Sequence, residues 1–87
     1  MPNLTDADYA TWSLDKFDNI IRKWRREAGL SSSGPPWPEI TKSQINIMSQ
    51  KQRQSSIYAD MFQIKRNEQV LLRATENNQQ PSLSRKA

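Results

Sequence analysis

Two helix-start signals, one before each half of the chain, constrain the fold more than any other feature. Thr5 is followed three residues later by Asp8, and Thr41 is followed three residues later by Gln44. In such a capping box the Thr hydroxyl accepts from the third backbone N–H of a helix, and the acid or amide accepts from the N–H of the cap. The sequence therefore predicts an all-α protein, with one helix that begins near Thr5 and another near Thr41.

The first helix is predicted over residues 5–29. Its apolar residues recur in alternating steps of four and three, which places them on one side of an α-helix. They are Ala10, Leu14, Phe17, Ile21, Trp24 and Ala28. Gly29 suits the left-handed position that ends many helices, and Leu30 can make the apolar contact that accompanies it. The first helix is thus predicted to be amphipathic and to end at Gly29.

Residues 31–38 cannot continue a helix, because Gly34 and three prolines fall within them. We predict a stiff proline-rich elbow with Trp37 packed beneath both helices. The second amphipathic helix is predicted over residues 41–77. Residues 49–56 contain no apolar side chain, so they form either the solvated middle of one long helix or a break. We favour one continuous helix.

Size and composition limit what the chain can do alone. It has 87 residues, of which 34% are hydrophobic, and its mean hydropathy is −0.92. We expect residues 1–78 to form a single helical-hairpin module and residues 79–87 to form a mobile basic tail. Two helices leave much of each apolar stripe uncovered, so we expect a protein partner or self-association.

Composition also argues against catalysis. The chain contains 0 His and 0 Cys. It therefore lacks the commonest catalytic base, which is His, and the usual zinc ligands, which are Cys and His. Its 2 glycines do not form a phosphate-binding loop. We expect no enzyme, cofactor, metal site or small-molecule substrate. No segment is apolar enough to span a membrane and no secretory signal is visible, so we expect a soluble intracellular protein, in the cytoplasm or nucleus or within a larger particle.

Two apolar stripes at helical spacing indicate a function in protein–protein interaction. Helices that dock on other proteins use anchors at these spacings, and the second stripe has a heptad-like spacing typical of coiled coils. The sequence predicts a non-enzymatic accessory or assembly subunit that docks into a larger protein complex. The predicted partner-binding residues are Leu14, Phe17, Ile21, Trp24, Ile57, Met61, Ile64 and Leu71.

The alternative is a basic nucleic-acid-associated helical module that dimerises through its apolar faces. The formal net charge is +4, and a helical wheel places a second, partly basic stripe away from the first. The predicted anion-binding residues are Trp12, Lys16, Lys23 and Arg26, together with Arg85 and Lys86 of the tail. An ordinary solvated face, with Trp12 covered by Lys16 or the elbow, explains the same residues without a ligand.

Overall fold

The computed structural model describes the backbone of residues 4–86 and the side chains of residues 4–75. The helices are α1 (Asp6–Ala10), α2 (Leu14–Glu27), α3 (Lys42–Ile47) and α4 (Gln50–Lys86). No strand occurs within residues 4–86. The prediction of an all-α fold is confirmed, and the proline-rich segment lies between α2 and α3 as the elbow.

Both predicted capping boxes are present. The Asp8 backbone N–H donates to the Thr5 hydroxyl at 3.2 Å, and the Thr5 N–H donates to the Asp8 carboxylate at 2.9 Å. The Gln44 N–H donates to the Thr41 hydroxyl at 3.2 Å, and the Thr41 N–H donates to the Gln44 side-chain oxygen at 2.9 Å. These bonds satisfy backbone donors that the first turn of a helix leaves without partners.

The first helix is not continuous over residues 5–29, and that prediction is wrong. The chain leaves the helix after Ala10, where the Thr11 hydroxyl donates to the Asp8 carbonyl at 2.7 Å. Ser13 then caps α2 by accepting from the Lys16 N–H at 3.1 Å. Thr and Ser side chains compete with the helix for nearby backbone groups, and here they separate α1 from α2.

The end of α2 follows the prediction. Gly29 has a φ of 76°, which is the left-handed region that glycine adopts without steric cost. The Leu30 N–H donates to the Arg25 carbonyl at 2.8 Å, and the Gly29 N–H donates to the Arg26 carbonyl at 3.0 Å. This is a Schellman motif. Leu30 is buried with Ala28 in a small apolar cluster.

The second helix is also interrupted, so one continuous helix over residues 41–77 is wrong. Met48 has an extended backbone, with φ −78° and ψ 146°. Ser49 then accepts from the Gln52 N–H at 3.1 Å, and the Gln52 side chain accepts from the Ser49 N–H at 2.9 Å. This third capping box starts α4. The break lies at Met48 and Ser49, and the rest of the stretch without apolar residues is helical from Gln50 onward.

The main core lies where α2 packs along α4, and α1 covers part of the same face of α4. Its buried members are all apolar or aromatic and come from α1, α2, the elbow and α4. They are Tyr9, Phe17, Ile21, Trp37 and Phe62. The predicted mobile tail, residues 79–87, lies outside the described side chains, and its mobility stays a prediction.

Candidate protein-docking surface on α4

The inner face of α4 is buried against the rest of the molecule. Phe62 is 2% exposed and Ala59 is 1% exposed. Ser55 lies one turn before Ala59 and is also buried. Small side chains allow helix backbones to approach one another closely, and Phe62 then fills the core between the helices. This face belongs to the interior of the protein.

A partly buried ion pair fixes α4 against α2. The Arg66 Nε atom lies 2.6 Å from an Asp18 carboxylate oxygen, and the two side chains are 20% and 11% exposed. No local sequence pattern predicts this pair, because its members are 48 residues apart. A short, charge-assisted hydrogen bond of this kind orients the two helices.

A buried arginine holds the elbow. Arg25 is 2% exposed, and its guanidinium donates to the carbonyl of Ser31 at 2.5 Å and to that of Pro38 at 3.2 Å. Burial lowers the pKa of Arg25, and the charge of Asp60 acts in the opposite direction. The Arg25 guanidinium therefore binds backbone carbonyls within the fold. Because it is buried, it is not available to an external anion.

Trp12 does not lie on an outer basic stripe, and this part of the prediction is wrong. It falls in the break between α1 and α2, so a wheel drawn for one continuous helix misplaces it. Its ring lies 4.9 Å from that of Phe17 and 6.0 Å from that of Phe62. The Lys16 ammonium lies 4.7 Å from the centre of the Trp12 ring. Trp12 is therefore partly buried and packs against the aromatic core.

Of the other predicted anion-binding residues with described side chains, only Lys16 contacts Trp12. Lys16, Lys23 and Arg26 are exposed on α2, and the Lys23 ammonium lies 5.1 Å from the centre of the Trp24 ring. Both lysines thus already make cation–π contacts within the chain. The side chains of Arg85 and Lys86 lie outside the described residues.

The predicted partner-binding residues of α2 lie largely inside the protein. Phe17 and Ile21 are both 0% exposed, and both belong to the main core. Leu14 and Trp24 are partly buried against that core, and the Trp24 ring lies 4.9 Å from that of Tyr58. A partner cannot reach Phe17 or Ile21 in this structure, because packing of α2 on α4 already covers them.

The predicted residues of α4 divide between the two faces. Met61 is partly buried against the main core. Ile57, Ile64 and Leu71 are 60%, 55% and 68% exposed, and we call these three residues the docking stripe. They are seven residues apart, so they follow one another along one side of the helix at intervals of about 10.5 Å.

The surroundings of the docking stripe are mixed. Leu72, at 54% exposure, extends its apolar surface at one end. Arg53, Asp60 and Glu68 are exposed and border it on a helical wheel. Glu68 lies 3.5 Å from Lys65, and this proximity raises the pKa of the Lys65 ammonium. The stripe is therefore a narrow apolar surface with charges of both signs beside it.

No group of three or more His, Cys, Asp or Glu side chains within residues 4–75 could hold a metal ion. Among the described residues, no helix has the length and hydropathy that crossing a membrane requires. Comparison with protein families, with curated proteins and with solved structures finds no match for the chain.

Proposed function

We propose that this protein is a non-enzymatic helical subunit that docks into a larger protein assembly by packing a partner helix along the docking stripe. The observation that carries the proposal is the exposure of Ile57, Ile64 and Leu71 on a helix whose other face is already packed. Large apolar side chains that stay exposed in a row are typical of protein-interaction surfaces.

The spacing of the stripe supports a helix as its partner. A strict seven-residue repeat keeps apolar side chains aligned when two helices wind around each other, because supercoiling reduces the period to 3.5 residues per turn. Ile57, Ile64 and Leu71 have this repeat. The intervening layers contain Asp60 and Glu68, so the seam is short, and a stable complex requires contacts beyond it.

Nucleic-acid binding is the competing function, and the contacts of α2 favour it less. Base stacking requires an exposed aromatic ring beside cations, but Trp12 is packed against Phe17 and Phe62. Lys16 and Lys23 lie against tryptophan rings of their own chain. These lysines retain their charge and can still attract phosphate, so a direct test has to include them.

The test is a pulldown from source extract at low and high salt, with and without nuclease. The stripe variant carries Ile57→Gln, Ile64→Gln and Leu71→Gln, and the basic-face variant carries Lys16→Ala, Lys23→Ala and Arg26→Ala. We expect the bound protein to survive salt and nuclease, and to be lost only with the stripe variant. Apolar docking responds little to salt, whereas phosphate binding weakens steeply.

Circular dichroism should show the same helical content for both variants, since all six positions are exposed. Binding that disappears with nuclease or with the basic-face variant would contradict the proposal and support nucleic-acid binding. Binding that survives the stripe variant would place the docking surface elsewhere.

A further inference from the structure

We infer that the helix that packs on the docking stripe is α4 of a second copy of this chain, running antiparallel, with the two-fold axis between Asp60 and Met61. The inference rests on the proposed function, because it names the partner of the same surface. A two-fold interface requires one patch to be complementary to itself, and the outer face of α4 meets this condition in one register.

Apolar residues face each other in this register. Ile57 and Ile64 are equally far from the axis, so Ile57 of each copy lies opposite Ile64 of the other. These two residues are 60% and 55% exposed in the single chain. The two Met61 side chains flank the axis on the same side of the seam, as equivalent flanking residues do in antiparallel helix pairs. Two apolar Ile57–Ile64 layers therefore enclose a central layer in which the partly buried Met61 side chains lie on one side of the seam and the Asp60 side chains on the other.

Charges of opposite sign face each other as well. The same axis places Arg53 of each copy opposite Glu68 of the other, and both residues are exposed at the border of the stripe. Arg53 also donates to the Ile45 carbonyl at 3.2 Å, and Glu68 lies 3.5 Å from Lys65. In a parallel pair, Arg53 of one copy would lie beside Arg53 of the other, and Glu68 beside Glu68. These like charges would repel.

The interface is expected to be weak. The paired segment extends from Gln50 to Leu71, which corresponds to about 33 Å of helix. Two features weaken it. The outermost layers place the apolar Leu71 opposite the polar Gln50, and the two Asp60 carboxylates lie near each other beside the axis. An interface of this size falls at the low end of specific protein complexes. We expect a dissociation constant on the order of 10⁻⁵ M.

Disulfide trapping tests the register, because the chain contains 0 Cys. The variants are Gln50→Cys and Leu71→Cys, with different tags, oxidised alone and as a mixture. We expect the mixture to form a mixed disulfide dimer, while Leu71→Cys alone stays monomeric. In the antiparallel pair the two Leu71 positions are about 32 Å apart along the axis, and a disulfide requires Cα atoms within about 7 Å.

Lys51→Cys is the matched control, because Lys51 is the neighbour of Gln50 and is also exposed but points about 100° away around the helix. Mixed with Leu71→Cys, it should give no dimer. Dimer formation by Leu71→Cys alone would overturn the antiparallel register. A mixed dimer that forms equally well with Lys51→Cys would show that the disulfides record random collisions, and would also overturn it.

Analytical ultracentrifugation of the unmodified chain tests the dimer itself. Arg53→Glu or Glu68→Arg alone should weaken dimerisation by about three- to tenfold, and the double exchange should restore it. Lys51→Glu, which makes the same charge change off the seam, should leave it unchanged. A chain that stays monomeric at millimolar concentration overturns the inference. If such a monomer still binds another protein through the docking stripe, the proposed function stands although the inferred dimer does not form.

Discussion

The inner and outer faces of α4 both carry large apolar side chains, but only the inner face is covered. Phe62 is 2% exposed, whereas Ile64, two positions later, is 55% exposed. The inner face meets α2, α1 and the elbow. The outer face is only bordered by other elements: Arg53 donates to the Ile45 carbonyl of α3 at 3.2 Å, and Ile64 lines a groove beside the elbow. Hydrophobicity alone therefore does not decide which stripe forms the core, and the outer face keeps exposed apolar area.

The largest effect is expected on the inner face. Phe62→Ala should lower the free energy of unfolding by about 3–5 kcal/mol, because it leaves a cavity among aromatic rings. Ile64→Ala, on the outer face, should change it by about 0.5 kcal/mol or less in the monomer. Urea denaturation of both variants measures the difference. Equal losses at the two positions would show that the faces do not differ as described.

The link between the inner face and α2 should give the next effect. Asp18→Ala leaves the Arg66 guanidinium without its partner in a site where the arginine side chain is only 20% exposed. We expect a loss of about 2–3 kcal/mol, since the charge remains partly buried and unpaired. Asp15→Ala, an exposed residue of the same helix, is the control. A loss no larger than that of the control would mean that water replaces the ion pair without cost.

The outer face should affect binding and leave folding nearly unchanged. The triple variant Ile57→Gln, Ile64→Gln and Leu71→Gln should alter the unfolding free energy of the monomer by less than about 1 kcal/mol. It should weaken partner binding by about 100-fold or more, because each apolar anchor contributes to the affinity. Thermal denaturation at low protein concentration, followed by a binding titration, separates the two effects. A lower melting temperature of the dilute monomer would show that the stripe belongs to its core.

The smallest effect concerns the cap of α1, which covers part of the inner face. The hydrogen bond from the Thr5 backbone holds the pKa of Asp8 below its ordinary value. A lowered pKa stabilises the fold above the pKa of the unfolded chain, and this contribution is lost as the pH falls through the folded value. Stability should therefore fall on acidification below about pH 4, and less steeply in Asp8→Asn. Parallel pH profiles for the two proteins would contradict this.

Local patterns in the sequence determined the helix starts, the Gly29 stop and the elbow. They could do so because each depends on hydrogen bonds or steric limits between residues a few positions apart. The start of α4 was also readable, since Ser49 and Gln52 have the same spacing as Thr5 and Asp8. Helical periodicity alone favours one continuous helix, whereas this capping box marks a new helix start.

Tertiary structure decided which apolar residues remain free. Phe17 and Ile57 both belong to regular helical stripes, but their exposed fractions are 0% and 60%. The ion pair between Asp18 and Arg66 joins positions 48 residues apart, and Trp12 enters the core only because the chain turns between α1 and α2. Periodicity defines the apolar side of one helix, but which side is covered depends on how distant elements pack.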